Sequence, residues 1–170
     1  DLSPGWHASL GRSVTPTGDA HTVEVVIRPD PNLFDGRFAN NAWLHELPKP
    51  VSRLTWDNAI YVSPALAERS GLHNGDVVVL TSGERSLSGP VWIVPGTAER
   101  TVEVTLGYGR RTAGRVGEGV GFDANVLRSA DSPWGTRAEL TTTGTTHELV
   151  TTQLHGSMEG RRLVREATLE

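Results

Sequence analysis

Short runs rich in β-branched residues recur along the chain, and each ends at a Gly, Pro, Asn or Asp. Thr22-Val23-Glu24-Val25-Val26-Ile27 is the first, and Arg28-Pro29-Asp30-Pro31 stops it, which predicts a strand and a turn. Leu33 to Leu44 mixes glycine, asparagine and aromatics without a clean period, so a structured loop or short helix is expected there, broken by Leu47-Pro48-Lys49-Pro50. Ala59-Ile60-Tyr61-Val62 predicts a short strand. Ser63 then stands as an N-cap with Pro64 at the first helical position, and Ala65 to Ser70 runs to Gly71 as the C-terminal stop. Asn74-Gly75-Asp76 predicts a turn, residues 77–81 a strand, and Ser82-Gly83-Glu84 another turn. Further strands are expected at 89–94, closed by Pro95-Gly96, at 101–106, and at 138–141, with the Thr-rich stretch to Thr152 adding to the last. Several short strands with turn signals between them mean a barrel or sandwich of mainly β character.

Two ends flank this pattern. Residues 1–21 are rich in Ser, Thr, Gly and Pro and predict a loop extension. Residues 22–150 are expected to form the β domain, and 151–170 a C-terminal extension or linker. The chain opens on Asp1, without a basic n-region or apolar h-region, and reads as a piece of something longer.

Composition narrows the chemistry more than the fold. At 170 residues the chain is long enough for one domain with a real core. No stretch is long and apolar enough to predict a membrane-spanning helix. The absence of cysteine excludes disulfides, cysteine-held iron–sulfur clusters and thiol nucleophiles within these residues. A net charge of −4 argues against nucleic acid as a partner. Lys49 is the one lysine, against fifteen arginines, a bias that composition alone explains. The six histidines are scattered without a pair at i, i+2 or i+4, so no metal site is expected. No GxSxG elbow presents a serine nucleophile, and no catalytic set is assigned.

Two groups of residues carry candidate binding chemistry. Gly107, Gly109, Gly114, Gly117, Gly119 and Gly121 interleave flexible backbone with Arg110, Arg111 and Arg115, a combination suited to phosphate oxygens. A barrel-crossing loop with solvated arginines is the plainer reading of the same residues. Asn40-Asn41, Trp43, Trp56-Asp57-Asn58 and Asp123-Ala124-Asn125 offer amide edges and flat faces that match purine or pterin rings. The same types also cap turns and fill cores.

In order along the chain, Asn40 to Pro48 (NNAWLHELP), Leu54 to Asn58 (LTWDN), Ile60 to Ala67 (IYVSPALA) and Gly71 to Val78 (GLHNGDVV) resemble the C-terminal molybdopterin-dinucleotide-binding domain of the molybdopterin oxidoreductase family, which includes the dimethyl sulfoxide reductases. Pro95-Gly96, Gly107 and Gly121 to Leu127 continue the series. The resemblance implies a double-psi β-barrel with short helices. It implies molybdopterin guanine dinucleotide as the parent's cofactor, with Asn41, Trp56, Asn58, Arg110 and Asn125 as its candidate contacts. Where the family has G-x-N-x-N-x-L, this chain has Asp123 at the first asparagine, a charge that is unfavourable beside a pyrophosphate. Gly107 to Arg128 and the tail from Thr151 are also similar to the molybdopterin-like half of the fused iron–sulfur subunit of alternative complex III. That likeness implies partners in an iron–sulfur domain of the same polypeptide and in the subunits of a respiratory membrane complex. It also implies a place on the periplasmic face of the bacterial inner membrane. Two functions stand open: a dinucleotide-binding module of a molybdopterin-dependent oxidoreductase in respiratory electron transfer, or the same barrel, cofactor-free, as a scaffold in a quinol-oxidising complex. A free-standing decarboxylase or hydrolase on a related barrel is the third. On either of the first two readings the chain alone is not catalytic.

Overall fold

A computed structural model describes residues 22–152, together with 160 and 167. The expected N-terminal loop extension and nearly all of the C-terminal extension lie outside the described residues. Six strands close into one barrel: β1 (Thr22–Arg28), β2 (Ile60–Val62), β3 (Asp76–Ser82), β4 (Arg85–Ile93), β5 (Thr101–Thr105) and β6 (Gly135–Thr146). Their order around the barrel is β1-β5-β2-β4-β3-β6. The pairs β1·β5 and β2·β4 are parallel, whereas β2·β5, β3·β4, β3·β6 and β1·β6 are antiparallel. A parallel pair cannot be joined by a tight turn, so each needs a crossover that leaves the sheet and returns. Those crossovers give the barrel its double-psi character, and closure removes exposed strand edges.

Alternation along the strands decides which side chains fill the barrel. Val23, Val25 and Ile27 of β1 are buried between more exposed neighbours. They meet Ile60 and Val62 of β2, Val78 and Leu80 of β3, and Val102 and Val104 of β5 in one cluster. A smaller cluster of Leu54, Ala59 and Tyr61 packs on the outer wall. The helix α2 (Pro64–Ser70) forms as its capping residues direct. Ser63 Oγ accepts from the Leu66 amide at 3.0 Å, and Gly71 ends the helix at φ 63°. The Asp76 carboxylate takes the His73 amide at 2.7 Å, which fixes the turn into β3.

The region expected as loop or short helix contains α1 (Ala42–Glu46). The glycine-rich stretch holds a single helical turn, α3 (Gly114–Gly117), followed by a 3₁₀ turn at Ala124–Leu127. Two boundaries differ from expectation by four residues or more. β4 begins at Arg85 rather than residue 89, because the Gly83-Glu84 turn pairs Ser82 directly with Arg85. β6 ends at Thr146, short of the expected Thr152, because the His147 amide turns aside to the Gly75 carbonyl at 2.8 Å.

Candidate functional site

Trp56 is the centre of a strained loop. Its φ is 61°, a backbone region costly for a bulky side chain, and several contacts hold it there. Its amide donates to the His45 carbonyl at 2.9 Å, and its ring stacks on the His45 ring at 5.0 Å between centroids and 12° between planes. His45 lies on α1 and is buried. Its Nε2 lies 2.8 Å from the Ala39 carbonyl, which can only accept, so Nε2 carries the proton and Nδ1 is left as a buried acceptor without a hydrogen-bond partner among the described residues.

Beneath the loop lies Lys49. Its Nζ donates to the Asp57 carbonyl and to the Tyr108 hydroxyl, each at 2.7 Å, and stands 3.7 Å from Asp30 Oδ2. Burial pushes the Lys49 pKa down, and the nearby Asp30 and Asp57 charges pull against it. Burial pushes the Tyr108 hydroxyl up, and that of Tyr61 up to about 12, so both stay neutral phenols across the ordinary pH range. Asp57 continues the network, with Oδ2 2.6 Å from His147 Nε2.

Asn58 is wholly buried and its amide is spent on backbone. Nδ2 donates to the Thr105 carbonyl at 3.1 Å and the Phe122 carbonyl at 3.0 Å, while Oδ1 accepts from the Phe122 amide at 2.9 Å. It therefore ties the start of β2 to the end of β5 and to the glycine-rich segment. A Cβ on Gly121 would stand 2.4 Å from Asn58 Oδ1, so glycine is needed where this clamp closes.

Two clefts open beside that segment. The first, of about 440 Å³, brings Arg110, Arg111 and Asn125 around the backbone of Gly107 and Gly109, with Asp35 and Asp123 on the same walls. Arg110 lies across Gly36, where a Cβ would meet its Nε at 2.5 Å, and its Nη2 is 3.4 Å from the Asp35 carbonyl. Asn125 donates through Nδ2 to Asp123 Oδ1 at 2.8 Å and accepts from Arg128 Nη1 at 3.0 Å. The second cleft, of about 470 Å³, is walled by Trp56, Asp57, His147 and the backbone of Gly119 to Phe122.

The five sequence candidates are thus distributed rather than pooled. Arg110 and Asn125 share the first cleft, and Trp56 lines the second. Asn58 sits behind the wall formed by Phe122. Asn41 lines neither cleft; its Oδ1 accepts from the Trp43 amide at 3.1 Å and caps α1, which carries His45 under Trp56. Asp30, His45, Lys49 and Tyr108 were not among the candidates, yet they support the Trp56 loop. Their one signal in the sequence is the solitary lysine between two prolines.

No family model matches the chain. Over 65 residues, 38% of its length, the chain is 31% identical to the thiosulfate reductase molybdopterin-containing subunit PhsA of Salmonella typhimurium. It spans 9% of that relative. Among solved structures it is similar to acetylene hydratase from Pelobacter acetylenicus, with 13% identity, a TM-score of 0.47, and coverage of 69% of this chain and 18% of that one. The sequence match supports the resemblance to molybdopterin oxidoreductases at the level of the family.

Proposed function

We propose that this chain is the dinucleotide-binding module of a molybdopterin-dependent oxidoreductase, one part of a larger subunit engaged in respiratory electron transfer. The observation that carries this reading is the similarity to a molybdopterin-containing subunit over 65 residues. The first cleft fits the phosphate-bearing end of a guanine dinucleotide in its donors, since Arg110, Arg111 and glycine backbone line it together. Trp56, stacked on His45 and with its amide bonded to the His45 carbonyl, offers an aromatic face beside the neighbouring cleft. When bound, the cofactor supplies the redox centre; this chain's residues bind and orient one end of it.

A second reading has its own support: the same barrel serving as a cofactor-free scaffold, as in the fused subunit of alternative complex III, on the periplasmic face of the membrane. The amides of Asn41, Asn58 and Asn125 are all engaged within the chain, and Asp35 and Asp123 place carboxylates on the cleft a pyrophosphate would enter. Molybdenum and released pterin, assayed on the purified full-length parent, separate the two. Stoichiometric metal and pterin would overturn the scaffold reading, and their absence would overturn the cofactor-binding one. An iron–sulfur domain in the same polypeptide and respiratory partner subunits belong to both readings, and co-purification from membranes tests them.

A further inference from the structure

The two clefts beside the glycine-rich segment share no residue and differ in charge. Arg110 and Arg111 line the first, whereas among the described residues no arginine or lysine lines the second, and Asp57 is its one carboxylate. Asp57 Oδ1 accepts from the Asn58 amide at 3.1 Å, and Oδ2 lies 2.6 Å from His147 Nε2. One acceptor site on each oxygen is thus spent and each oxygen keeps another. The side chain is held at the cleft wall, 17% exposed. Behind it Lys49 donates to the Asp57 carbonyl, with Asp30 3.7 Å from the same ammonium. Two carboxylates against one ammonium leave a negative charge beside the cleft.

Aromatic rings supply the rest of the wall. Trp56 lines the cleft, and His45 covers one face of its ring, so the other face is the one an occupant can use. That ring stays 37% exposed although its backbone is held at a φ of 61°. An unfavourable backbone maintained under an exposed aromatic ring marks a ring whose placement matters. Phe122 lines the same cleft, with its ring lying over Gly89, where a Cβ would meet Cε1 at 2.5 Å. An aromatic face and a carboxylate both attract positive charge, and a planar guanidinium answers both, stacking on one and forking to the other. An anion would be repelled by Asp57, and a neutral ring would leave its charge unanswered.

We propose that the second cleft binds a guanidinium group, stacked on the outer face of Trp56 and hydrogen-bonded to the Asp57 carboxylate. The inference does not rest on the molybdopterin reading: the metal and pterin assay decides that one, and guanidinium binding decides this one.

Methylguanidinium is the probe, titrated into the isotope-labelled chain at pH 8, where an imidazole is ordinarily neutral, and at constant ionic strength. Methylurea is its planar, neutral counterpart. NMR of the amide and indole N–H signals is expected to show saturable shifts at Trp56, Asp57 and Gly121, with methylurea at least about tenfold weaker. Asp57→Asn keeps an acceptor for the Asn58 amide and removes the charge; it is expected to weaken methylguanidinium about tenfold and leave methylurea unchanged. Trp56→Gly, which suits the φ of 61°, is expected to weaken methylguanidinium about fivefold. Ser88→Trp, at an exposed position of β4 on the cleft wall, is expected to abolish binding while the rest of the spectrum stays folded. Nα-acetylarginine amide separates the sources: affinity equal to or above that of methylguanidinium assigns the group to a peptide side chain, and weaker binding assigns it to a free small molecule. Shifts that map elsewhere, no saturable shift, equal affinity for methylurea, or unchanged methylguanidinium affinity in any of the three variants would each overturn the proposal.

Discussion

Replacing Asn58 by alanine tests whether that amide is structural. Three hydrogen bonds between 2.9 and 3.1 Å are lost from a side chain with no exposed surface. At about 1 kcal/mol net for each bond, and a further 1–3 for the buried Phe122 N–H left without an acceptor, the expected loss is about 4–6 kcal/mol. That is a large part of the stability of an ordinary domain. Asn58→Asp sharpens the test because it keeps the shape. Its second oxygen would face the Thr105 and Phe122 carbonyls, so at neutral pH the loss should exceed that of alanine. At pH below the introduced carboxyl's pKa, protonation restores one donor and the gap to alanine should narrow. Urea unfolding followed by tryptophan fluorescence, with slopes compared to confirm two-state behaviour, gives both numbers. A loss below about 1 kcal/mol for Asn58→Ala would refute the clamp, because that is the scale of a surface amide.

Other predictions follow from the same geometry. Lys49→Met should cost about 3–5 kcal/mol by leaving the Asp30 carboxylate buried without a counter-ion, and adding Asp30→Asn should recover much of it, as a double-mutant cycle in urea would measure. Tyr61 has its folded pKa raised to about 12, so its contribution is complete below the unfolded value of 10 and is lost as pH rises from 10 to 12; Tyr108, also raised, loses stability in the same window, so Tyr61→Phe should reduce the loss in urea titrations by about 3 kcal/mol without abolishing it. Gly109→Ala should cost at least about 3 kcal/mol, because a Cβ would stand 2.1 Å from the Asp123 amide nitrogen at φ 69°. Gly83→Ala, at φ 60° with nothing within 4 Å, should cost only about 1 kcal/mol, and the contrast in melting temperature separates steric from conformational cost.

What could be read from sequence was local. The Val-rich alternation of β1 and the Ser63-Pro64 and Gly71 signals around α2 act within a few residues, and the structure keeps them. Strand order and the two parallel pairings were legible only through resemblance, because no local pattern records which distant strand a segment meets. The pairing of Arg110 with Asn125 in one cleft likewise depends on the Gly109 amide bonding to the Val120 carbonyl at 2.8 Å, which folds the segment back on itself. Asn58 shows the deeper limit. A carboxamide presents one donor row and one acceptor row, and these match a peptide unit as well as a nucleobase edge. An asparagine reads such edges by its type, and the edge Asn58 reads is the Phe122 backbone.

Lys49 carries the same lesson from the side of composition. A chain with fifteen arginines and one lysine invites an explanation from codon usage, yet the one lysine is buried. Three acceptors converge on its nitrogen: the Asp57 carbonyl, the Tyr108 hydroxyl and, farther off, Asp30. A compact ammonium with three donors radiating from one atom suits that convergence. A guanidinium spreads its donors over a plane and does not radiate three of them from a single atom. Since Lys49 holds the carbonyl of Asp57, and Asp57 follows Trp56 at its unfavourable φ, the ammonium helps set the position of the Trp56 face beside the second cleft. Whatever that face meets, its placement rests on a buried charge, and a point charge with converging acceptors is the physical reason a lysine rather than the chain's prevailing arginine suits the position.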